Sequence, residues 1–239
     1  MAYYNRKPDL SNGLSYDIET VPAPLDELSV IQQEEINRKL ETYLARNPLV
    51  EDEEEARRLI MGTNPIFGKI VCIGLGHKDG GEWFENALIG DEKQILKDFW
   101  RIIQDFNGTF VSFGGLDFDV QFIAIRSMKY RIRPTNKNFL ETRRYQIHPQ
   151  FDLKCILADW DKYRSMSLRS MCDHLGIPSP KEGDIAAKDV AQAFANGEIE
   201  KIAAYCLRDV RSTNDGFEIA ISKPSLVDRT SRKQYAAIF

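Results

Sequence analysis

The stretch Leu14-Ser15-Tyr16-Asp17-Ile18-Glu19-Thr20-Val21-Pro22 constrains this chain more than any other. It is rich in β-branched and aromatic residues, follows Gly13 and stops at Pro22, which spells a short strand. Two carboxylates sit inside it at i and i+2. Side chains alternate across a strand, so Asp17 and Glu19 share a face. Two anions held together in a sheet raise each other's energy unless a cation lies between them. Such a strand belongs either at an edge with its acidic face in water or over a cation site. The pair alone leaves both open.

The segment that follows changes character. Leu28, Ile31, Ile36, Leu40 and Leu44 recur at helical spacing before Asn47-Pro48, predicting a helix over 24–46. The run Glu51 to Glu55 precedes Arg57-Arg58, the order a helix dipole prefers, so it is expected as a helix start and not as a binding site. This helical insertion at about 23–66 is expected to serve packing more than to cover a site.

Lys69 to Gly76 reads as a buried strand, Asp79-Gly80-Gly81 as a turn and Glu82-Trp83-Phe84 as the return strand. The glycines of this stretch are not followed by a helix, which weakens any nucleotide-loop reading. Asp91 is expected to cap a helix carrying Ile95, Leu96, Phe99, Trp100 and Ile103 on one face, stopped by Asn107-Gly108. Thr109 to Phe113 is the next strand, broken at Gly114-Gly115. Asp119 then falls at or just inside a helix N-terminus, where one acid is also what a cap requires. Asp117 is its rival. Phe151 onward starts another element, with Asp152 expected as its cap. Ser167 to Pro178 reads as a capped helix with a terminal Gly. Helices are expected from Asp184 to Asn196 and from about Glu198 to Ile221. On the last, Tyr205 and Asp209 lie at i and i+4 beside the core stripe.

The formal net charge is −4, so bulk electrostatics makes no case for nucleic-acid binding and local patches must. The patch that stands out runs from Arg126 to Arg144. Arg126, Lys129, Arg131, Arg133, Lys137, Arg143 and Arg144 face Glu141 alone, with Tyr130, Phe139 and Tyr145 interleaved. That mixture suits a phosphate backbone. The four cysteines are dispersed without a CxxC pair, which argues for a reducing compartment and an expected cytoplasmic location. Neither a signal peptide nor a membrane span is expected. The three histidines have no paired spacing, against a zinc site.

The acidic groups on the first strand, at a helix start and on the last helix suit Mg²⁺ or Mn²⁺, hard ions that take oxygen ligands. Two such ions about 3.5–4 Å apart can bracket a phosphodiester. The set D-I-E-T at 17–20, F-D at 118–119 and Y-C-L-R-D at 205–209 resembles the three motifs of the DEDD superfamily of 3′–5′ exonucleases, tyrosine subclass. The pieces F-G-K-I-V-C-I-G-L-G, F-D-L-K and S-L-R-S-M-C-D-H-L-G-I-P are similar to stand-alone bacterial proteins related to the family-B DNA polymerase exonuclease domain.

The resemblance implies an α/β, ribonuclease H-like fold: an antiparallel meander plus parallel strands in one mixed sheet, flanked by helices. It implies one exonuclease domain over 1–239, with a basic tail from about 223. By the same resemblance Asp17, Glu19, Asp119 and Asp209 would hold two metal ions and Tyr205 would orient the attacking water. The implied substrate is single-stranded nucleic acid, DNA favoured over RNA, degraded to nucleoside monophosphates. Composition does not separate the two acids, because discrimination rests on the 2′-OH. RNA, or a non-catalytic nucleic-acid-binding role, is the alternative. One departure stands out: the Asn common before Phe-Asp is missing, and Gly114-Gly115 occupies its place.

Overall fold

A computed structural model describes residues 10–178 and 185–222. The basic tail expected from 223 lies outside them. Five strands form one sheet: β1 (Gly13–Pro22), β2 (Gly68–Asp79), β3 (Glu82–Ile89), β4 (Thr109–Ser112) and β5 (Gln150–Asp152), in the order β3-β2-β1-β4-β5. The first three form an antiparallel meander, while β4 and β5 run parallel to β1. The mixed α/β sheet of the sequence reading is therefore present, with the acidic strand at its centre and not at an edge.

Alternation along β1 sorts the two faces. Leu14, Tyr16 and Ile18 join the largest apolar cluster, together with residues of α3 (Glu92–Ile102) and α4 (Asp119–Lys129). Ser15 points the other way, toward α8 (Ile199–Ser222), where its hydroxyl lies 3.3 Å from Asn214 Oδ1. A second cluster on α8's side packs Val111 and Phe151 against Phe217 and Met171 of α6 (Leu168–Leu175). α8 comes close to the sheet because Gly74 of β2 has no side chain. A Cβ there would stand 2.8 Å from Cys206 Sγ and 2.9 Å from Val210 Cγ2.

Caps set the helix boundaries. Ser29, Asp91 and Ser167 each accept the N–H three residues on, opening α1 (Val30–Arg46), α3 and α6. α1 thus starts six residues later than the periodicity predicts, after a single 3₁₀ turn at Leu25–Glu27. Ile31 falls in its first turn and is exposed, while Ile36 and Leu40 are buried, Ile36 in a cluster with Phe67. Asp52 caps α2 (Glu53–Gly62), so the acidic run is a helix start as expected. The expected helix over 184–196 is a 3₁₀ turn at Ala187–Asp189 followed by α7 (Val190–Ala195) among the described residues. α5 (Leu153–Leu157) follows β5 directly. None of the described helices is long and apolar enough to cross a membrane.

Candidate active site

The site forms where β1 outruns its neighbour. β4 pairs only with Gly13 to Ser15, leaving the following backbone of β1 open on that side. The Ile18 N–H there donates to Asp119 Oδ1 at 3.0 Å. Asp119 is the first residue of α4, so a helix N-terminus aims its carboxyl at the strand between the two acids. A crevice beyond the carboxyl end of a parallel strand is where open α/β sheets bind ligands. Asp117, the rival, is exposed.

Asp17 and Glu19 lie on one face of β1, as their spacing requires. One carboxylate oxygen from each and Cys206 Sγ all fall within 4.8 Å of one another. The Cys206 thiol sits 3.5 Å from Asp17 Oδ2 and from the Asp17 carbonyl. Burial pushes this thiol well above its usual range, so it stays protonated and donates weakly to Asp17.

The carboxyls of the cluster are all shifted in one direction. Burial pushes the Asp17 carboxyl well up, and Asp119, Glu19 and Asp209 push it further; Cys206 pulls it back. Glu19 is raised by burial, then by Asp209 and other neighbours. Asp119 is raised to about 7, chiefly by burial, although its backbone hydrogen bonds oppose the shift. Each shift records the cost of keeping a carboxylate charged beside others in a site with little water. A divalent cation would reverse that cost. The donor set is oxygen-rich and hard, which fits Mg²⁺ or Mn²⁺ better than zinc.

α8 supplies the remaining candidates. Tyr205 and Asp209 sit one turn apart, and a hydrogen bond joins their side chains. Burial, then Asp209, Glu19 and Asp17, raise the Tyr205 phenol far above its ordinary value, so it holds its proton at neutral pH. The Arg208 guanidinium stands 5.8 Å from the Tyr205 ring centroid.

The missing Asn has a steric explanation. A Cβ on Gly115 would meet Ser112 Oγ at 2.6 Å and the Tyr16 hydroxyl at 2.9 Å, and Gly114 has φ +89°. The loop is held by Asp152 instead. Its carboxylate accepts the N–H of Gly114 at 3.0 Å and of Leu116 at 3.1 Å, besides capping α5 through Cys155 at 3.1 Å. The cap was legible from sequence. The reach back to the loop that delivers Asp119 was not, because nothing local encodes it.

The basic patch divides. Arg126 is 2 % exposed, and its Nε and Nη2 grip Glu92 at 2.8 and 2.6 Å. It is a core ion pair and cannot face a phosphate backbone, which corrects the sequence reading. Arg143 is exposed and forks onto Glu141 at 2.8 and 2.9 Å. Lys129, Arg131, Arg133 and Arg144 are exposed. Lys129 ends α4, about 15 Å along the helix from Asp119 at 1.5 Å per residue.

Comparison with known proteins agrees with this geometry. Residues 66–215 match a family described as a predicted 3′–5′ exonuclease related to the exonuclease domain of PolB. An uncharacterized protein of Methanocaldococcus jannaschii is 29 % identical over 173 residues, covering 67 % of this chain and 90 % of that one. The family B DNA polymerase from the hyperthermophilic archaeon Pyrobaculum calidifontis shares the fold, with a TM-score of 0.57 and 16 % identity over 86 % of this chain. The chain spans 24 % of that polymerase. The mixed sheet with its flanking helices is the ribonuclease H-like fold of such an exonuclease domain. Since the match covers more than half of the sequence, the chain belongs to the family of predicted 3′–5′ exonucleases related to the exonuclease domain of PolB.

Proposed function

We propose that this protein is a metal-dependent 3′–5′ exonuclease that hydrolyses single-stranded nucleic acid, DNA before RNA, and releases nucleoside monophosphates. The observation that carries the reading is the pairing of the Asp17 and Glu19 carboxylates beside Cys206, with Asp119 hydrogen-bonded to the Ile18 N–H between them and both Asp119 and Asp209 near enough to raise the pair. Asp17, Glu19, Asp119 and Asp209 would hold two divalent cations. When bound, those ions supply an activated water and neutralise charge on the leaving oxygen.

The chain's own groups do the rest. The carboxylates repel one another, and a divalent cation held between them would relieve that repulsion. Tyr205 keeps its proton at neutral pH and donates it in a hydrogen bond to Asp209, so its oxygen is left to accept from and orient water instead of removing a proton. Asp119 keeps one oxygen on the Ile18 N–H, which fixes its carboxyl in place. Asp152 and the Gly114-Gly115 loop position it from behind. The exposed cations Lys129, Arg131, Arg133 and Arg144 give the approaching strand its electrostatic track.

The test is digestion of a 5′-labelled single-stranded DNA beside a matched RNA, with Mg²⁺, Mn²⁺ or EDTA. The expected result is a ladder that shortens from the 3′ end, faster on DNA, and vanishes in EDTA. Asp17→Ala should lower the rate on the order of 10³-fold, about 4 kcal/mol of barrier. Wild-type rates in that variant at saturating Mg²⁺ would sink the assignment. Binding of both strands with no shortening of either would move it to the non-catalytic role.

A further inference from the structure

The carboxylates of the site are hard donors, but one corner of it is soft. Cys206 Sγ lies 3.5 Å from Asp17 Oδ2, and this sulfur, an Asp17 oxygen and a Glu19 oxygen all fall within 4.8 Å of one another. Cys206 is fully buried, and a hydrogen bond joins its thiol to that of Cys72 on β2. Cys72 is fully buried as well and faces Glu19 in the strand pairing. Two sulfurs from separate elements thus back the two acids of β1.

Glu19 points to a ligand for a separate reason. It is 8 % exposed, and among the described residues no hydrogen bond or ion pair reaches its carboxylate. Buried charged groups are ordinarily paired or hold a metal. The geometry around it suits a small tetrahedral centre. Zinc holds a thiolate at about 2.3 Å and a carboxylate oxygen at about 2.0 Å, so two such ligands of a tetrahedron stand about 3.5 Å apart. The Asp17–Cys206 pair has that separation. Thiolate sulfur selects zinc and its heavier congener cadmium, while Mg²⁺ prefers oxygen. Such an ion deprotonates a coordinating thiol outright, and the proton leaves to water. The Cys72 S–H then donates to the bound sulfur, as outer partners of metal ligands do. An entry path exists, since Glu19 lines a cleft of about 1110 Å³ that opens between α2 and α7.

We propose that Asp17, Glu19 and Cys206 form an inhibitory site for a thiophilic divalent cation, Zn²⁺ or Cd²⁺, with Cys72 supporting the sulfur from behind. The binding stands on the donor geometry alone; the inhibition rests on the exonuclease reading. An ion held by Cys206 takes Asp17 and Glu19 away from the hard ions that turnover needs. Sulfur ligation favours that ion strongly, so micromolar Zn²⁺ should stop a reaction run in millimolar Mg²⁺.

The experiment is titration of the full chain with Cd²⁺ in metal-free buffer, read by the ultraviolet charge-transfer band of a cadmium–thiolate bond. Wild-type protein should give a band that saturates at one ion per chain and disappears when Zn²⁺ is added. Cys206→Ser should abolish the band and weaken Cd²⁺ at least about 100-fold, since a direct ligand counts for no less than an outer partner. Cys72→Ala should keep the band and weaken Cd²⁺ about tenfold. The chain has four cysteines, so the double variant Cys155→Ser, Cys172→Ser should keep the band at full height. That check stands even if Cys206→Ser fails to fold, which melting temperatures would reveal. No band in wild type, a band that survives in folded Cys206→Ser, or one lost from the folded double variant would overturn the site. Digestion in Mg²⁺ is the second arm, with each protein scaled to its own rate without Zn²⁺. Half-inhibition of wild type should need about 100-fold less Zn²⁺ than that of Cys206→Ser, and equal sensitivity would overturn the inhibitory role. A band without turnover in Mg²⁺ or Mn²⁺ would overturn the exonuclease reading and leave the soft-ion site standing. Turnover without a band would do the reverse.

Discussion

Asp119 couples the pH behaviour of the metal-free protein to its site. Its carboxyl titrates at about 7 in the folded chain, above the ordinary value of 3.8. Between those values the folded state binds more protons than the unfolded state, so this group's contribution to stability falls as pH rises, and the loss is complete above about 7. Asp17 and Glu19 are shifted in the same direction. Asp119→Asn keeps an oxygen for the Ile18 N–H and removes the charge. In EDTA the variant should therefore gain stability over wild type as pH rises from about 4 to 7, by about 4 kcal/mol. Urea denaturation across that range measures it, and a constant difference between the two proteins would refute the cause given for the shift. Millimolar Mg²⁺ should restore wild-type stability at pH 8 and do little at pH 5, since ligand carboxylates must be deprotonated to bind metal. Asp117 and Asp119 also differ at this scale. A single residue, Phe118, separates them in sequence, but only Asp119 meets the open Ile18 N–H of β1.

The elements are joined by polar contacts that no periodicity reveals. Glu92, the first residue of α3, accepts the Ile70 N–H of β2 at 2.7 Å, the Tyr130 hydroxyl at 2.8 Å and both donors of Arg126. One carboxylate thus binds β2, α3 and α4 together. The Ile70 contact falls where the pairing with β1 slips: Glu19 faces Cys72, but Thr20 faces Ile70. The β-bulge that follows the second acid is therefore pinned by this ion pair. Arg126→Met should destabilise the protein by about 3–5 kcal/mol, because Glu92 would be left charged and buried. Affinity of the still-folded fraction for single-stranded DNA should stay within about twofold, as expected of a residue with no phosphate contact. A variant of normal stability and weakened DNA binding would return Arg126 to the surface patch. Sequence placed Arg126 in that patch for a plain reason: a cationic run is read by composition, and only packing against α3 turns one of its members inward.

For the molecule as a whole, the proposed function requires an acidic protein to approach a polyanion through a small local field. Lys129, Arg131, Arg133 and Arg144 are exposed where α4 ends and in the segment after it. Replacing Arg131 and Arg133 by Gln should flatten the slope of log affinity against log salt by about 1.4, at about 0.7 per phosphate for single strands. An unchanged slope would remove this segment from the track. What sequence determined here is local and periodic. The acidic strand, the Gly-Gly hairpin, most helix caps and the i, i+4 pair Tyr205 and Asp209 follow from alternation, capping chemistry and helical spacing, which neighbours in the chain decide. The order of the three acidic motifs added the fold and the expected site. The tertiary structure alone decided how far β4 runs beside β1, that Gly74 lets α8 approach Asp17, that Asp152 holds the loop before Asp119, that Arg126 is buried, and that the α1–α2 segment walls a cleft. Each of those depends on groups separated by tens of residues meeting in three dimensions, where burial and charge set the outcome and chain-local preference has no say.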